Sequence, residues 1–284
     1  MNSYPETPEG WTPVARRSTG PFTTHVTFRR PDGDKALWSS RAHRKHASRL
    51  SRGSPRHESA WWAPQRASWW IGILFAAGAS CFVIAPFPGF VELVGSGVDG
   101  VVFFIGSIFF TLAAALQCLE TFNADRGPGG GHRQRLRVLA FEPGRIDWWS
   151  SVLQFAGTLL FNLNTFRALQ TGLDQPSYDR LVWAPDAVGS ACFLASGYLA
   201  YVEVCGGLAC RPRRSLEWRI AAVNLAGCIA FGISAIASYV VPSTGSVIDL
   251  AAVNLFTAFG ALCFLVGAVL LLPESATEPE AASS

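Results

Sequence analysis

The sequence predicts an all-α integral membrane protein of six transmembrane helices, arranged as three tandem helical hairpins. Three observations carry that expectation. Charge is scarce over most of the chain: residues 69–273 hold 23 charged side chains in 205 positions, while residues 1–68 hold 17. A soluble domain needs a surface about 25–35% charged, which this stretch cannot supply. Six windows of about 20 mainly apolar residues follow one another, each long enough to cross a bilayer. Their glycines, phenylalanines and terminal carboxylates recur at fixed offsets.

The elements follow in chain order. Residues 1–68 form a basic tail expected in the cytoplasm. Its first 20 residues, rich in Pro, Thr and Gly, are expected to be disordered. Residues 25–38 read as a short β-hairpin, with the turn at Pro31-Asp-Gly-Asp. Arg41 to Arg66 is a basic stretch that anionic lipid would attract. No apolar segment lies close to Met1, so no cleavable signal peptide is expected and the first span directs insertion. The spans are Trp69–Pro86, Asp99–Leu119, Trp148–Ala168, Trp183–Val204, Trp218–Val241 and Ile248–Leu272. They form a membrane domain over 69–273, and an acidic tail closes the chain at 274–284.

Lys and Arg set the direction. With six spans, 21 of the 23 fall in the tail and in the loops 120–147 and 205–219, and only Arg167 and Arg180 lie on the other side. The positive-inside rule then places both termini in the cytoplasm of a multi-pass protein. Arg outnumbers Lys 21 to 2, which points to a GC-rich genome and a bacterial plasma membrane.

The repeats are 69–120, 148–203 and 218–274. Trp69, Trp148 and Trp218 open them; Gly78, Gly157 and Gly227 follow at +9, and Phe82, Phe161 and Phe231 at +13. In the second helices, Gly106, Gly189 and Gly260 each have Phe at +4 and Glu at +14. Asp99, Asp186 and Asp249 precede those glycines at unequal offsets and read as helix-start signals. The indoles suit an aromatic belt at the interface. The six glycines suit close helix packing, since small residues let backbones approach in lipid.

Two sets of polar residues are candidates for function. Glu120, Glu203 and Glu274 lie at helix C-termini on the cytoplasmic side, where they form a carboxylate ring that attracts cations or lock onto arginines of the inner loops. Gln154, Asn162, Asn164, Asn224 and Asn254 lie within spans, where they join helices by hydrogen bonds or line a polar cavity.

Other chemistry finds no support. The five histidines lie outside the spans, and no metal-ligand spacing occurs, so neither metal nor cofactor is expected. The glycine run 127–131 lacks the Lys-Ser/Thr of a phosphate loop. The seven cysteines form no Cys-x-x-Cys, and Cys205 and Cys210, beside a cytoplasmic loop, are expected to stay reduced. No catalytic signature emerges, so no enzyme is expected. Nucleic acid is not an expected partner. The bilayer and anionic lipid are, and association into a homo-oligomer stays open.

Trp69-Trp-Ile-Gly-Ile-Leu-Phe-Ala-Ala-Gly-Ala-Ser, followed by Phe103-Phe-Ile-Gly-Ser-Ile-Phe-Phe, resembles the YrhK-like family of small two-span membrane domains. Gly189-Ser-Ala-Cys-Phe and Gly260-Ala-Leu-Cys-Phe repeat the second element, with Asp186 and Thr257 where the family has Phe. The resemblance implies a small helical membrane domain and no particular activity. The expected role is a non-enzymatic structural or interaction protein; the alternative is a small-solute transporter or channel.

Overall fold

The computed structural model describes Pro5 and residues 7–41, 61–124, 136–170 and 172–276. The expectations about the glycine run 127–131, about Arg126, Arg133, Arg135, His43, His46, His57 and His132, and about the C-terminal residues from 277 on lie outside the described residues.

The tail folds further than the sequence suggests. Strands β1 (Thr12–Thr19), β2 (Phe22–Arg29) and β3 (Lys35–Ser39) form one antiparallel sheet in the order β1-β2-β3. The β2–β3 hairpin closes at the anticipated turn, where the Asp32 carboxylate accepts from the Asp34 amide. The expectation of disorder over residues 1–20 fails at β1. Gly20, with φ +55°, reverses the chain between paired Thr19 and Phe22. Pro13 donates no backbone hydrogen bond, which an edge strand tolerates. Val26, Phe28 and Trp38 form a small core under Trp11, and the Arg30 guanidinium lies over that indole. Two strands alone are marginal, and the third supplies the missing cover.

Among the described residues, six long helices follow: α1 (Ala67–Ile84), α2 (Ser96–Phe122), α3 (Ile146–Ala168), α4 (Ala184–Cys205), α5 (Leu216–Ala237) and α6 (Leu250–Ala276). A π-helical turn, Asp179–Trp183, leads into α4. A two-stranded ribbon, β4 (Val240–Val241) with β5 (Ser246–Val247), joins α5 to α6. Each helix packs on its chain neighbours, and α1 packs on α6, so the six close into a ring.

The protein is mostly helical, and five of its helical segments are long and apolar enough to cross a membrane: 67–84, 96–122, 175–205, 216–237 and 250–274. The expected span at 148–168 is not among them. Helix α3 has 23 residues, but Asp147, Gln154, Asn162, Asn164 and Arg167 dilute its hydropathy. Its polar groups turn to its neighbours. Asn162 donates to Thr111 on α2 and accepts from Ser107, and Gln154 accepts from Ser196 on α4.

Helix starts show how local sequence positions the ring. Arg66 and Arg145 occupy the N-cap positions of α1 and α3 in extended conformation. Trp69 and Trp148, three residues on, donate their indole N–H to the carbonyls of Trp61 and Ala140. Trp70 and Trp149 donate to Pro64 and Pro143. The belt reading therefore divides within each doublet: Trp69 is 6% exposed and Trp70 43%. Proline before Arg-x-x-Trp-Trp is the shared signal.

Candidate functional site

Six phenylalanines meet on the ring axis. Phe82, Phe161 and Phe231 form a triangle with centroids 5.7–6.3 Å apart. Phe264 lies 6.0 and 6.4 Å from Phe110 and Phe193 and 5.5 Å from Phe231, which ties a second layer to the first. All six are buried in one cluster. Edge and tilted ring contacts at 4.5–7 Å are favourable, so the plug is a packed apolar septum.

Glycines set its position. A Cβ on Gly78 would stand 2.8 Å from the Gly106 carbonyl oxygen, one on Gly157 3.1 Å from that of Gly189, and one on Gly227 3.0 Å from that of Gly260. The same contacts run in reverse: a Cβ on Gly106, Gly189 or Gly260 would strike Phe82, Phe161 or Phe231 within 3 Å. Backbone therefore meets backbone at three places around the ring, and the rings project inward beside each contact.

The plug separates two cavities. The near cavity, on the side of the sheet, is about 130 Å³; all six long helices line it and Phe264 floors it. The far cavity is about 240 Å³, again touched by all six, with Phe82, Phe161 and Phe231 at its floor.

Polar residues line the near cavity. Glu120 and Glu203 line it together with Gln117, Gln154 and Asn224. Both carboxylates are buried. Ser40 Oγ donates to Glu203 Oε1 at 2.5 Å, and Arg41 Nη2 donates to Glu274 at 3.1 Å. Glu274 thus stands at the rim, and the end of β3 lies across the cavity mouth with Arg41 itself part of the lining. The Asn224 carboxamide fits only because α6 carries glycine opposite: a Cβ on Gly267 would come within 2.2 Å of its Oδ1.

The five amides do not share one cavity. Gln154 and Asn224 line the near one and Asn164 the far one. Asn162 joins α2 to α3 in a network with Ser107, Thr111 and Thr165. Asn254 is half-buried on α6 and lines neither cavity. The far cavity also holds Asp186, whose carboxylate accepts from Asn164 Nδ2 at 3.0 Å. The helix-start reading holds fully for Asp249, which accepts from the Ala252 amide. Asp186 does more than begin a helix, and Ser40 and Arg41 gave no local sequence sign of their place at the near cavity.

Helix α4 ends at Gly206, with φ +63°, which turns the chain back. Cys205 and Cys210 are disulfide-bonded, with Cα atoms 5.4 Å apart. This corrects the expectation of free thiols: the left-handed turn at Gly206 brings the pair within bonding range. At the same end His25 lies on β2. Its imidazole is held below the usual range by burial and then by the Arg17 guanidinium, against the opposing pull of Glu203 and Glu217.

Among the described residues no group of three metal-ligating side chains occurs. No family model matches the chain, and neither a curated protein nor a solved structure matches it.

Proposed function

We propose that the chain is a six-span membrane protein of three tandem hairpins that passes a small solute along its axis, held closed by the phenylalanine plug. One observation carries this reading: two cavities, each bordered by all six helices, approach the same apolar septum from opposite ends. Apolar constrictions close pores by excluding water, and a septum of rings between two axial cavities has that form.

Six crossings are favoured by the outer face of α3. Leu159, Leu163 and Phe166 stand exposed there while the amides turn inward, so lipid would meet an apolar stripe. Tandem copies are favoured by the three glycine contacts, and kinship with YrhK-like hairpins remains the proposal for their origin. The chain acts without catalysis in this reading. Both termini lie on the arginine-rich side, taken as the cytoplasmic face of a bacterial plasma membrane, where the basic segment meets anionic lipid. The Cys205–Cys210 bond weighs against that side, because cytoplasmic thiols are kept reduced.

The first reading, a structural or interaction protein, is favoured by the buried docking of Ser40 and Arg41, which fixes a folded sheet to the helix ends.

Efflux from proteoliposomes tests the proposal. Phe231→Ala and Phe264→Ala each remove one ring from a different layer. Each variant is expected to raise efflux of small solutes at least tenfold over wild type. Efflux at the protein-free rate from both, with intact elution on size exclusion, would defeat the pathway.

A further inference from the structure

The far cavity holds one acidic group among rings. Asp186, in the first turn of α4, accepts one hydrogen bond from Asn164. Among the described residues no Lys, Arg or His lies within ion-pair distance of it. Arg167 and Arg180, the nearest cations in sequence, do not line the cavity; Arg167 bonds Gln170 instead. The walls are aromatic: Phe82, Phe103, Phe161, Tyr178, Trp183 and Phe231. Trp183 is fixed in place, because its indole N–H donates to the Ala235 carbonyl at 2.9 Å and its ring meets Tyr239 edge-on.

The Asp186 carboxyl has one amide partner, stands in a chamber walled largely by rings, and finds no cation among the described residues to pair with. A buried charge is costly until paired. Three classes of counter-charge could supply the pairing. A hard metal ion needs six or more oxygen ligands for calcium, or near-ideal octahedral oxygens for magnesium. The chamber offers one carboxylate; its serine and threonine hydroxyls are engaged elsewhere, Thr165 and Ser238 with backbone carbonyls and Ser234 with Thr257, and no second acidic side chain among the described residues lines it. An anion is repelled outright. An organic ammonium is satisfied by a single carboxylate together with the faces of aromatic rings, which attract cations electrostatically.

We propose that the far cavity binds a small organic cation, an alkyl- or quaternary ammonium, with Asp186 as its counter-ion and the aromatic walls around its alkyl groups. This deepens the pathway reading and rests on it for the ligand's route. The near cavity also carries carboxylates, Glu120 and Glu203, together with the Arg41 guanidinium. Asn164 is a positioning residue here, holding the carboxylate toward the chamber.

Isothermal titration of the purified full-length protein with choline tests the site without any flux. Its neutral carbon analogue, 3,3-dimethylbutan-1-ol, has the same shape and no charge. Choline is expected to bind at least tenfold more tightly than the alcohol. Asp186→Asn keeps the shape and is expected to weaken choline at least tenfold while leaving the alcohol unchanged. Phe103→Leu keeps the bulk and is expected to weaken choline several-fold; it carries the test if Asp186→Asn does not elute as a folded protein. Equal affinity for choline and the alcohol overturns the proposal, as does wild-type choline affinity in the variants. The two claims separate cleanly. Choline binding without efflux in the plug variants upholds the site and defeats the pathway, and efflux without choline binding does the reverse.

Discussion

Gly78→Ala is the sharpest test of how the ring is held together. The new Cβ would stand 2.8 Å from the Gly106 carbonyl oxygen, 3.1 Å from Phe110 Cδ2 and 3.3 Å from Phe109 Cβ, where ordinary contact begins at 3.4 Å. Relief requires α1 and α2 to separate by about 0.6 Å along the tightest contact, and that movement also loosens Phe82 against Phe110. Overpacking of this kind costs roughly 1–3 kcal/mol. Ala is the better helix former by up to about 1 kcal/mol, which partly masks the cost. Gly232→Ala removes the ambiguity. Gly232 is also mid-helix, and a Cβ there meets nothing within 4 Å, so it gains the propensity without the clash. The difference between the two variants isolates the contact, at roughly 1–3 kcal/mol. Unfolding in mixed micelles with increasing denaturing detergent measures it. Gly78→Ala is expected to unfold at lower detergent than wild type and Gly232→Ala at equal or higher. Coincident curves for the two would refute the reasoning.

Four further outcomes follow from the same contacts. Arg41→Ala removes a charged hydrogen bond to Glu274, worth about 2 kcal/mol, and hydrogen exchange is expected to quicken across β1–β3 and not in α5. Charging His25 is disfavoured in the folded state, so the unfolded or undocked chain binds more protons: docking of the sheet is complete above the ordinary value of 6.5 and weakens as the pH falls below it. Protease cleavage of the sheet at pH 5.5 and 7.5 reads this, and His25→Gln should abolish the difference. Gly267→Ala displaces the Asn224 amide, and thermal unfolding is expected several degrees below wild type, since the intruding Cβ meets the amide at 2.2 Å. Maleimide is expected to label neither Cys205 nor Cys210 in the purified protein until a reductant is added; labelling of both beforehand would contradict the bonded pair.

Periodic positions were the legible part of this chain. Glycines at +9 and at the second-helix position, and phenylalanines 4 residues beyond each, meet across helix pairs because fixed offsets on straight helices place residues on fixed faces. The polar residues were less legible. Gln154, Asn162 and Asn164 lie on one helix, yet they go to the near cavity, a helix joint and the far cavity, and the periodicity of a single helix carries no information on which neighbour each will face. Those same residues lower the apolarity of α3 below that of the other long helices. At β1 the sequence misleads, because Thr-Pro-Val-Ala-Arg-Arg-Ser-Thr has the polar composition of disordered sequence. Its order comes from pairing with β2 and from the Gly20 turn, which composition does not register. Ser40 and Arg41 reach Glu203 and Glu274 across more than 160 positions of sequence, and contacts that distant leave no local signature.

If the two cavities approach the phenylalanine plug from opposite sides of a membrane, a thiol placed in each is reached by an aqueous reagent from one side only. Ser196 lines the near cavity and Ser234 the far one, each buried against a neighbouring helix. Ser196→Cys and Ser234→Cys, each alone in a chain whose native cysteines are replaced by serine or alanine, can be challenged with a membrane-impermeant thiol reagent on sealed vesicles of known orientation. Ser196→Cys is expected to be labelled only from the side that bears the N-terminal sheet, and Ser234→Cys only from the opposite side. Labelling of both from one side, or of neither from either side, would contradict that placement of the cavities.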